Sequence, residues 1–218
     1  FCARSGRPLG EPILAGSSIR KMAISPDGRS CALATHLGEL LLVPLDGKSS
    51  VVRTNGHSDH VEALAFAPDG GFLASGGADG HLRISCPTSL VALADVDLHR
   101  WIHLKEGEVP SSYGQNWRVE GIAISADSKR LLAAVGDYAL LWKDGDWQGA
   151  PHLFASRGFV RAADVSPDGR YGAYVDIEDG HIVDLETGRT LAIVEGHNDS
   201  LWQTKFNPQG NTFATVSG

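Results

Sequence analysis

A short turn motif that returns at a nearly constant interval constrains this chain more than any other feature of its sequence. The first copy is Ser25-Pro26-Asp27-Gly28, and the steps to the following copies are 42, 58, 41 and 41 residues. A period of roughly 40–45 residues is typical of four-stranded β units that bury their faces by stacking on one another. The long step predicts an insertion at about residues 95–113. The five copies begin at Ser25, Ala67, Ser125, Ser166 and Asn207.

The residues that precede each turn have the spacing of a β-strand. In the first copy, Ile24 and Met22 are two residues apart, which is the strand period, whereas Ile19 precedes Met22 by three. Because a step of three breaks the alternation of sides, we predict a β-bulge near the start of each such strand. The column that begins with Ile19 continues with Val61, Val119, Val160 and Leu201.

Further strands follow each turn. Phe72–Ser75 and Leu82–Ile84 are apolar segments separated by a tight polar turn, and Ser49–Arg53 is an example of a fourth segment. Asp-Gly occurs seven times, which supplies the positive φ angles that hairpin turns require. No segment has the helical period, so the sequence predicts an all-β propeller of four-stranded antiparallel blades. About five blade units are visible, near residues 17–56, 57–95, 115–155, 156–196, and 197–218 together with 1–16.

Charge and cysteine content narrow the expected partners and compartment. The formal net charge is −7 at pH 7, so the chain lacks the positive surface that holds proteins to nucleic acid or anionic lipid, and neither is expected as a partner. No apolar run approaches the length of a membrane span. Cys2, Cys31 and Cys86 are far apart and odd in number, which favours reduced thiols and a cytoplasmic location.

The stretch from Gly56 to Ile84 carries a longer pattern. It runs Gly56-His57, Phe66, Pro68-Asp69-Gly70, Leu73-Ala74-Ser75-Gly76, Asp79-Gly80 and Leu82-Arg83-Ile84. In order and spacing it closely resembles the WD-repeat family pattern, and part of it recurs 140 residues later from Gly196-His197 to Thr215. The resemblance covers nearly the whole chain apart from about residues 95–113, and the array is similar to bacterial-type WD-repeat arrays.

The resemblance implies a hydrogen-bonded tetrad inside each blade. Its members are a His, a Ser or Thr on the second strand, an Asp in the following turn and a Trp on the third strand. The copies here are incomplete, since Ser85 stands at the Trp position of the second blade and Ala133 at the hydroxyl position of the third. Such networks pair buried polar groups, so their erosion predicts softer blades of the same fold. The matching residues are His57, Ser75 and Asp79 in the second blade, Asp137 and Trp142 in the third, and His197 and Thr215 in the fifth.

The two ends of the chain match different parts of a blade. The first residues correspond to the end of one blade, and the last residues correspond to the second strand of another. WD-repeat propellers usually have seven blades, and an open array exposes strand edges, so we expect a piece of a larger propeller. The alternative is a ring of five blades that closes by sharing one blade between the two termini.

Some residues allow a catalytic or metal-binding interpretation, but the repeat explains them better. His57 and His60 flank Asp59, yet Asp199 recurs at the same place in the fifth blade, which favours a turn role for both aspartates. The acidic run from Asp176 to Glu186 lacks calcium-loop spacing and predicts a solvated hairpin. The sequence contains neither Gly-x-Ser-x-Gly nor His-Glu-x-x-His. We therefore expect no catalytic residue, no metal and no cofactor.

The bulge positions place variable side chains at the same end of each strand. Trp and Arg at equivalent sites of a rigid scaffold fit a protein-recognition surface, because these residue types dominate interface hot spots. The alternative for the aromatic residues is packing between neighbouring blades. The bulge set is Arg20, Glu62, Glu120, Arg161 and Trp202, with Phe159 nearby, and the candidates for partner binding are His60, Trp117, Arg161 and Trp202.

These features predict a non-catalytic scaffold or sensor module that mediates protein–protein interaction within a larger multidomain protein. The insertion at about residues 95–113, with Trp101, is either a further partner contact or a loop without a role. The alternative function is a propeller enzyme or small-ligand binder that works at the central channel. Converging His, Asp and Glu side chains around a bound ion at the channel would favour that alternative.

Overall fold

The computed structural model describes residues 12–102 and 117–218, and these residues form five consecutive antiparallel sheets. The first sheet contains β1 (Ile19–Ile24), β2 (Ser30–Thr35), β3 (Glu39–Pro44) and β4 (Val52–Asn55). The second contains β5 (Val61–Phe66), β6 (Leu73–Gly77), β7 (His81–Ser85) and β8 (Ala92–Asp97). The third contains β9 (Val119–Ile124), β10 (Leu131–Val135), β11 (Tyr138–Trp142) and β12 (His152–Ala155). The fourth contains β13 (Ala162–Val165), β14 (Tyr171–Val175), β15 (Gly180–Asp184) and β16 (Arg189–Val194), and the fifth contains β17 (Leu201–Phe206) and β18 (Phe213–Ser217).

The prediction of an all-β fold of four-stranded antiparallel blades is confirmed. Within each complete sheet the strands follow chain order, each hydrogen-bonded to the next. The first strands of successive sheets contact one another in the order β1, β5, β9, β13 and β17, so the sheets are arranged side by side like propeller blades. Apart from these strands, the helical structure in the described ranges is a single 3₁₀ turn at Leu98–Arg100.

The predicted bulge is present near the start of the first strand in four of the five blades, whereas β13 and β14 pair without a shift. The pairing between β1 and β2 shifts between Ile19 and Lys21, and the same shift occurs in the second, third and fifth blades. Each shift leaves one residue without a cross-strand partner, and a bulge of this kind turns its side chain away from the regular alternation. The residues left out of register are Arg20, Glu62, Glu120 and Trp202.

The hydrophobic core lies between blades. Strand β10 shows why, because its apolar residues alternate between two neighbours. Leu131 and Ala133 pack in a cluster shared with the second blade, whereas Leu132 and Ala134 pack in a cluster shared with the fourth. All four are fully buried. A strand covered on both faces needs the continuous apolar run that this sequence has, and a single blade cannot bury that run alone.

The repeated turn owes its geometry to hydrogen bonds between its own side chains and backbone. In the first copy the Ser25 hydroxyl donates to Asp27 Oδ1 at 2.6 Å and accepts from the Ser30 N–H at 2.9 Å. Gly28 follows with φ of 69°, a conformation that favours glycine. Ser128 takes the same place in the third copy with φ of 56°. Its hydroxyl accepts from the Asp69 N–H at 3.2 Å and so joins the second and third blades.

The first and last blades leave apolar side chains exposed. Met22 on β1 is 68% exposed and Val216 on β18 is 55% exposed, whereas Ile122, which occupies the same column as Met22, is partly buried in the interblade core. The prediction that further blades cover these faces stays a prediction, as does the alternative of a closed five-bladed ring.

Parts of the predicted organisation lie outside the described residues. Residues 1–11, which include Cys2, are outside the described ranges, and so is most of the proposed insertion. The described beginning of that insertion completes β8 and the 3₁₀ turn. There Trp101 packs, half-buried, against the core of the second and third blades. The blade boundaries and the insertion stay predictions.

Candidate functional site

The second blade contains a buried polar network that connects a loop, a strand and a turn. The His57 ring lies between two partners, with Nδ1 2.9 Å from Asp79 Oδ1 and Nε2 2.8 Å from the Ser75 hydroxyl. An ionised carboxylate can only accept, so Nδ1–H donates to Asp79, and in the neutral ring Nε2 accepts from Ser75. The second carboxylate oxygen accepts from the Ser58 N–H at 2.9 Å. The network thus fixes the loop before β5 against the β6–β7 turn.

The charge of Asp79 is stabilised by these contacts. Burial opposes ionisation, but hydrogen bonds from His57 and from the N–H groups of Ser58 and His81 outweigh it and hold the pKa of Asp79 at about 2. Ser85, at the position of the missing tryptophan, is buried. The second blade therefore has three tetrad positions in contact and a small side chain at the fourth.

The fifth blade contains one contact of this network, and in the third the matching residues Asp137 and Trp142 bond to backbone groups. In the fifth, His197 Nε2 lies 2.7 Å from the Thr215 hydroxyl, which is the contact that His57 makes with Ser75. In the third, the Trp142 indole donates to the carbonyl oxygen of Gly149 at 3.2 Å. The Asp137 carbonyl accepts from the Ser156 N–H at 2.9 Å. The indole N–H of Trp142 is therefore hydrogen-bonded to a backbone carbonyl that lies beyond the end of its own strand.

The fourth blade contains a related network that the sequence analysis did not identify. Asp176 is fully buried; its Oδ2 accepts from the Ser156 hydroxyl and lies 3.1 Å from His181 Nε2. The His181 ring stacks on Tyr174 at 4.5 Å between centroids. Ser156 precedes Val160 by four residues, just as His57 precedes Val61, and that spacing was the available signal.

This network corrects the expectation of a solvated acidic hairpin. The N–H groups of Glu178 and Asp179 donate to Asp176 Oδ1 at 2.8 and 2.7 Å. Burial again opposes ionisation, and these bonds together with those from His181 and Ser156 outweigh it and lower the pKa of Asp176 to about 2. Asp176 is therefore an internal anchor of the β14–β15 turn, and its carboxylate is not solvated.

Asp59 and Asp199 occupy equivalent turns before β5 and β17. Asp59 Oδ1 accepts from the His60 N–H at 2.7 Å, and Asp199 Oδ1 accepts from the Ser200 N–H at the same distance. The hydrogen bond from the His60 backbone is the main reason that the pKa of Asp59 lies below its ordinary value. Both aspartates bond to the residue that follows them.

The first strands of all five blades surround one cavity of about 450 Å³. Small apolar residues such as Ala63, Gly121 and Ala162 line its walls, as expected for strands that approach one another closely. Charged and aromatic side chains line it as well, and three of them, Glu62, Glu120 and Trp202, come from the bulge positions. These lining side chains are Lys21, Glu62, Glu120, Arg161, Trp202 and Lys205.

Two arginines form ion pairs with the two glutamates of the cavity. Glu62, which is 4% exposed, forms ion pairs with Arg20 of the first blade and, at 2.5 Å, with Arg118 of the third. Arg118 Nε lies 2.6 Å from Glu120 Oε1. Burial raises the pKa of Glu120 above its ordinary value, and the charge of Arg118 offsets only part of that effect. The ion pairs connect three blades around the cavity.

Arg161 and Trp202 stack on each other at one side of this cavity. The guanidinium carbon of Arg161 lies 4.0 Å from the Trp202 ring centroid and 5.9 Å from that of Phe159. Trp202 is 49% exposed. Cation–π stacking of this kind holds the arginine in place and leaves the edge of its guanidinium plane available to an acceptor.

The other two candidate residues lie in different surroundings. His60 stacks on His36 at 5.2 Å, and its Nε2 lies 3.3 Å from Glu62, so it borders the cavity residues. Trp117 packs against the interblade core and against His99 at 4.5 Å. The structure therefore groups His60 with the Arg161 and Trp202 surface, whereas Trp117 occupies the interblade position that the alternative interpretation described.

Two comparisons with known proteins bear on this geometry. Residues 48–84 match the family model described as "WD domain, G-beta repeat". The second blade therefore matches the WD-repeat family. The matched range contains His57, Ser75 and Asp79, so the family pattern and the most complete polar network coincide in one blade.

A curated relative is similar to this chain over most of its length. The "Periodic tryptophan protein 2 homolog" of Dictyostelium discoideum is 22% identical over 205 residues, which are 94% of this chain and 21% of that protein. The chain therefore spans about one fifth of the length of this relative. WD40 repeats generally mediate protein–protein interaction or scaffolding.

Within residues 12–102 and 117–218, the chain has no group of three or more His, Cys, Asp or Glu side chains placed to hold a metal ion. No helix in the same ranges is long and apolar enough to cross a membrane. The carboxylates at the cavity are instead paired with arginines, and this arrangement suits recognition of charge and shape.

Proposed function

We propose that this chain is a non-catalytic scaffold module that binds a protein partner at the mouth of its central cavity, as part of a larger multidomain protein. The Arg161–Trp202 pair carries the proposal, because it presents a stacked cation and a half-exposed indole at the end of a rigid strand. Trp and Arg are the residue types that contribute most binding energy at protein interfaces.

The surroundings of this pair support a preformed surface. Arg20, Glu62 and Arg118 belong to three successive blades and are joined by ion pairs, so the positions of the bulge residues relative to one another are fixed by the stacking of blades. A rigid surface loses little conformational entropy on binding. His60 adds a half-buried aromatic ring at the rim.

The proposal is tested by affinity capture with a double variant, Arg161→Ala with Trp202→Ala, from extract of the native cells. A matched control, Arg189→Ala with Leu191→Ala, removes an exposed cation and an exposed apolar side chain from the outer strand β16. We expect the cavity variant to lose specific partners that the control retains. An identical set of captured proteins for both variants and the unaltered chain would exclude this surface.

A small-ligand binder or enzyme at the central channel is the second candidate, and the cavity itself favours it. A volume of about 450 Å³ is within the range of ligand pockets. Native mass spectrometry of the chain purified from its own cells tests this candidate. A stoichiometric small molecule that Arg161→Ala releases would favour it over the scaffold.

We also propose a cytoplasmic location. Cys31 and Cys86 are both free thiols, which supports a reducing compartment. Fractionation of native cells, with detection of the chain in the soluble cytoplasmic fraction, is the test. Recovery in an oxidising compartment would contradict this part of the proposal.

A further inference from the structure

The central cavity has a local charge opposite to that of the whole chain. The residues that line it, together with their ion-pair partners, include five cations and three carboxylates. The chain as a whole has a formal net charge of −7. A concentration of positive charge in an acidic protein requires a reason, because blade stacking alone does not select for it. The cations are Arg20, Lys21, Arg118, Arg161 and Lys205, and the carboxylates are Glu62, Glu120 and Asp164.

The existing ion pairs leave two of these cations without a carboxylate of their own. Arg20 and Arg118 are occupied by the two glutamates, and Lys205 Nζ lies 2.6 Å from Asp164 Oδ1. Lys21 and Arg161 form no ion pair within residues 12–102 and 117–218, and both line the cavity. Both charges oppose the rise in the pKa of Glu120, but Arg118 already pairs with that carboxylate. Four cations, Arg20, Lys21, Arg118 and Arg161, therefore share two glutamates.

Two polar atoms of the lining residues lack hydrogen-bond partners within the described part of the chain. Arg161 Nε is one and Thr204 Oγ1 is the other, and both are buried. An unsatisfied buried donor destabilises the folded chain, and an acceptor that reaches it removes that cost. Thr204 is 2% exposed and Arg161 is held by the Trp202 ring, so neither side chain is free to turn towards solvent. An acceptor that enters the cavity would meet donors already in place.

We propose that this cavity binds a carboxylate of an acidic peptide segment, held by Arg161 and Lys21 beside the Trp202 ring. This inference rests on the proposed function, because it names the chemistry of the partner at the same surface. A guanidinium stacked on an indole offers the two parallel N–H groups that match a carboxylate. The carboxylate belongs either to an Asp or Glu side chain or to a chain terminus, and both sources have the same chemistry.

Four fluorescein-labelled octapeptides test the proposal by fluorescence anisotropy with the full chain. The first alternates Glu and Gly and has an amide-capped C-terminus. The second and third replace Glu by Gln and by Lys, and the fourth has the Gln sequence with a free C-terminal carboxylate. The variants are Arg161→Gln, Arg161→Lys and Lys21→Gln, with Arg189→Gln on the outer strand β16 as the control. The melting temperature of each variant establishes that it is folded, and Lys21→Gln provides the test if Arg161→Gln does not fold.

We expect the Glu peptide to bind at least about tenfold more tightly than its capped Gln and Lys counterparts, in keeping with one charge-assisted contact. Arg161→Gln should weaken this binding about tenfold, Arg161→Lys should weaken it less, and Arg189→Gln should leave it unchanged. Preference for the fourth peptide over the first would assign the carboxylate to a chain terminus.

Equal binding of the Glu, capped Gln and free-terminus Gln peptides, or an unchanged affinity in both Arg161→Gln and Lys21→Gln, would overturn the acidic-peptide proposal. The capture experiment decides the broader function separately. If Arg161→Ala with Trp202→Ala loses captured partners while no carboxylate peptide binds, the proposed protein recognition is supported and the proposal of an acidic partner is wrong.

Discussion

Replacing Asp79 by Asn should destabilise the fold by an amount that depends on pH. The substitution keeps the shape of the side chain and removes the charge that His57 and the Ser58 N–H stabilise. A pKa lowered from 3.8 to about 2 corresponds to about 2 kcal/mol of stability, at roughly 1.4 kcal/mol per unit. The Asp79 side chain is 4% exposed, so solvent screens this effect little. Charge-assisted hydrogen bonds contribute a similar amount, about 1.5–3 kcal/mol.

The sign of the pH dependence follows from linkage. The pKa of Asp79 is lower in the folded chain than in the unfolded chain, so its contribution is complete well above pH 3.8 and is lost as the pH falls towards 2. Roughly half of it should remain at pH 3. The difference in unfolding free energy between the natural chain and Asp79→Asn should therefore be about 2–3 kcal/mol at pH 7 and clearly smaller at pH 3.

Urea denaturation followed by tryptophan fluorescence measures this difference. Trp101, Trp117, Trp142 and Trp147 all belong to or pack on the core between the second and third blades, so the signal reports on the blade that contains Asp79. Asp69→Asn is the matched control, because Asp69 is exposed and its carboxylate accepts from the Gly71 N–H. Equal losses for the two variants, or a difference that is the same at pH 7 and pH 3, would refute the reasoning.

Three further predictions concern the joints between blades and the described thiols. Gly76→Ala places a Cβ against the Val119 side chain of the next blade, and such overpacking should cost about 1–3 kcal/mol in thermal denaturation. Val119→Ala in the same chain should recover part of that loss, and strictly additive effects would contradict the contact. Ser128→Ala and Ser128→Gly both remove the acceptor of the Asp69 N–H, but the glycine variant should be about 1 kcal/mol more stable because φ is 56°. Equal stability of these two variants would show that the backbone there is unstrained. Hydrogen bonds from Ser89 and Thr88 lower the pKa of Cys86 to about 6, whereas burial raises the pKa of the Cys31 thiol, so iodoacetamide at pH 7 should modify Cys86 first. Peptide mass spectrometry follows both sites, and comparable rates would refute the assignment.

The sequence predicted part of the candidate site, because several of its residues occupy the same position relative to the repeated turn. Arg20, Glu62, Glu120 and Trp202 share a place before the same turn, and the bulge turns each of them out of register. Their pairing was not predictable, because Glu62 contacts Arg20 and Arg118, which are 42 and 56 residues away. Which charges cancel and which remain depends on the distance between blades.

The buried polar networks were likewise predictable only in part. The contact of His57 with Ser75 and Asp79 follows a family pattern that occupies a single blade. The network of Asp176 does not, because its histidine comes from strand β15 and a serine takes the place of His57. The sequence predicted a solvated acidic hairpin. Only the hydrogen-bond donors around Asp176 explain why this charged side chain is fully buried.

The sequence by itself determined the local units: the recurring turn, the continuous apolar runs of strands such as β10, and the bulge in the first strand of four blades. These follow from φ preferences and side-chain period, which act between residues close in the chain. The tertiary structure alone decided which glutamates form ion pairs with arginines, and that Lys21 and Arg161 form none among the described residues. It also decided that Trp117 packs in the interblade core while Trp202 is half-exposed. Those outcomes depend on distances between separate blades, and electrostatic and packing energies change steeply with distance.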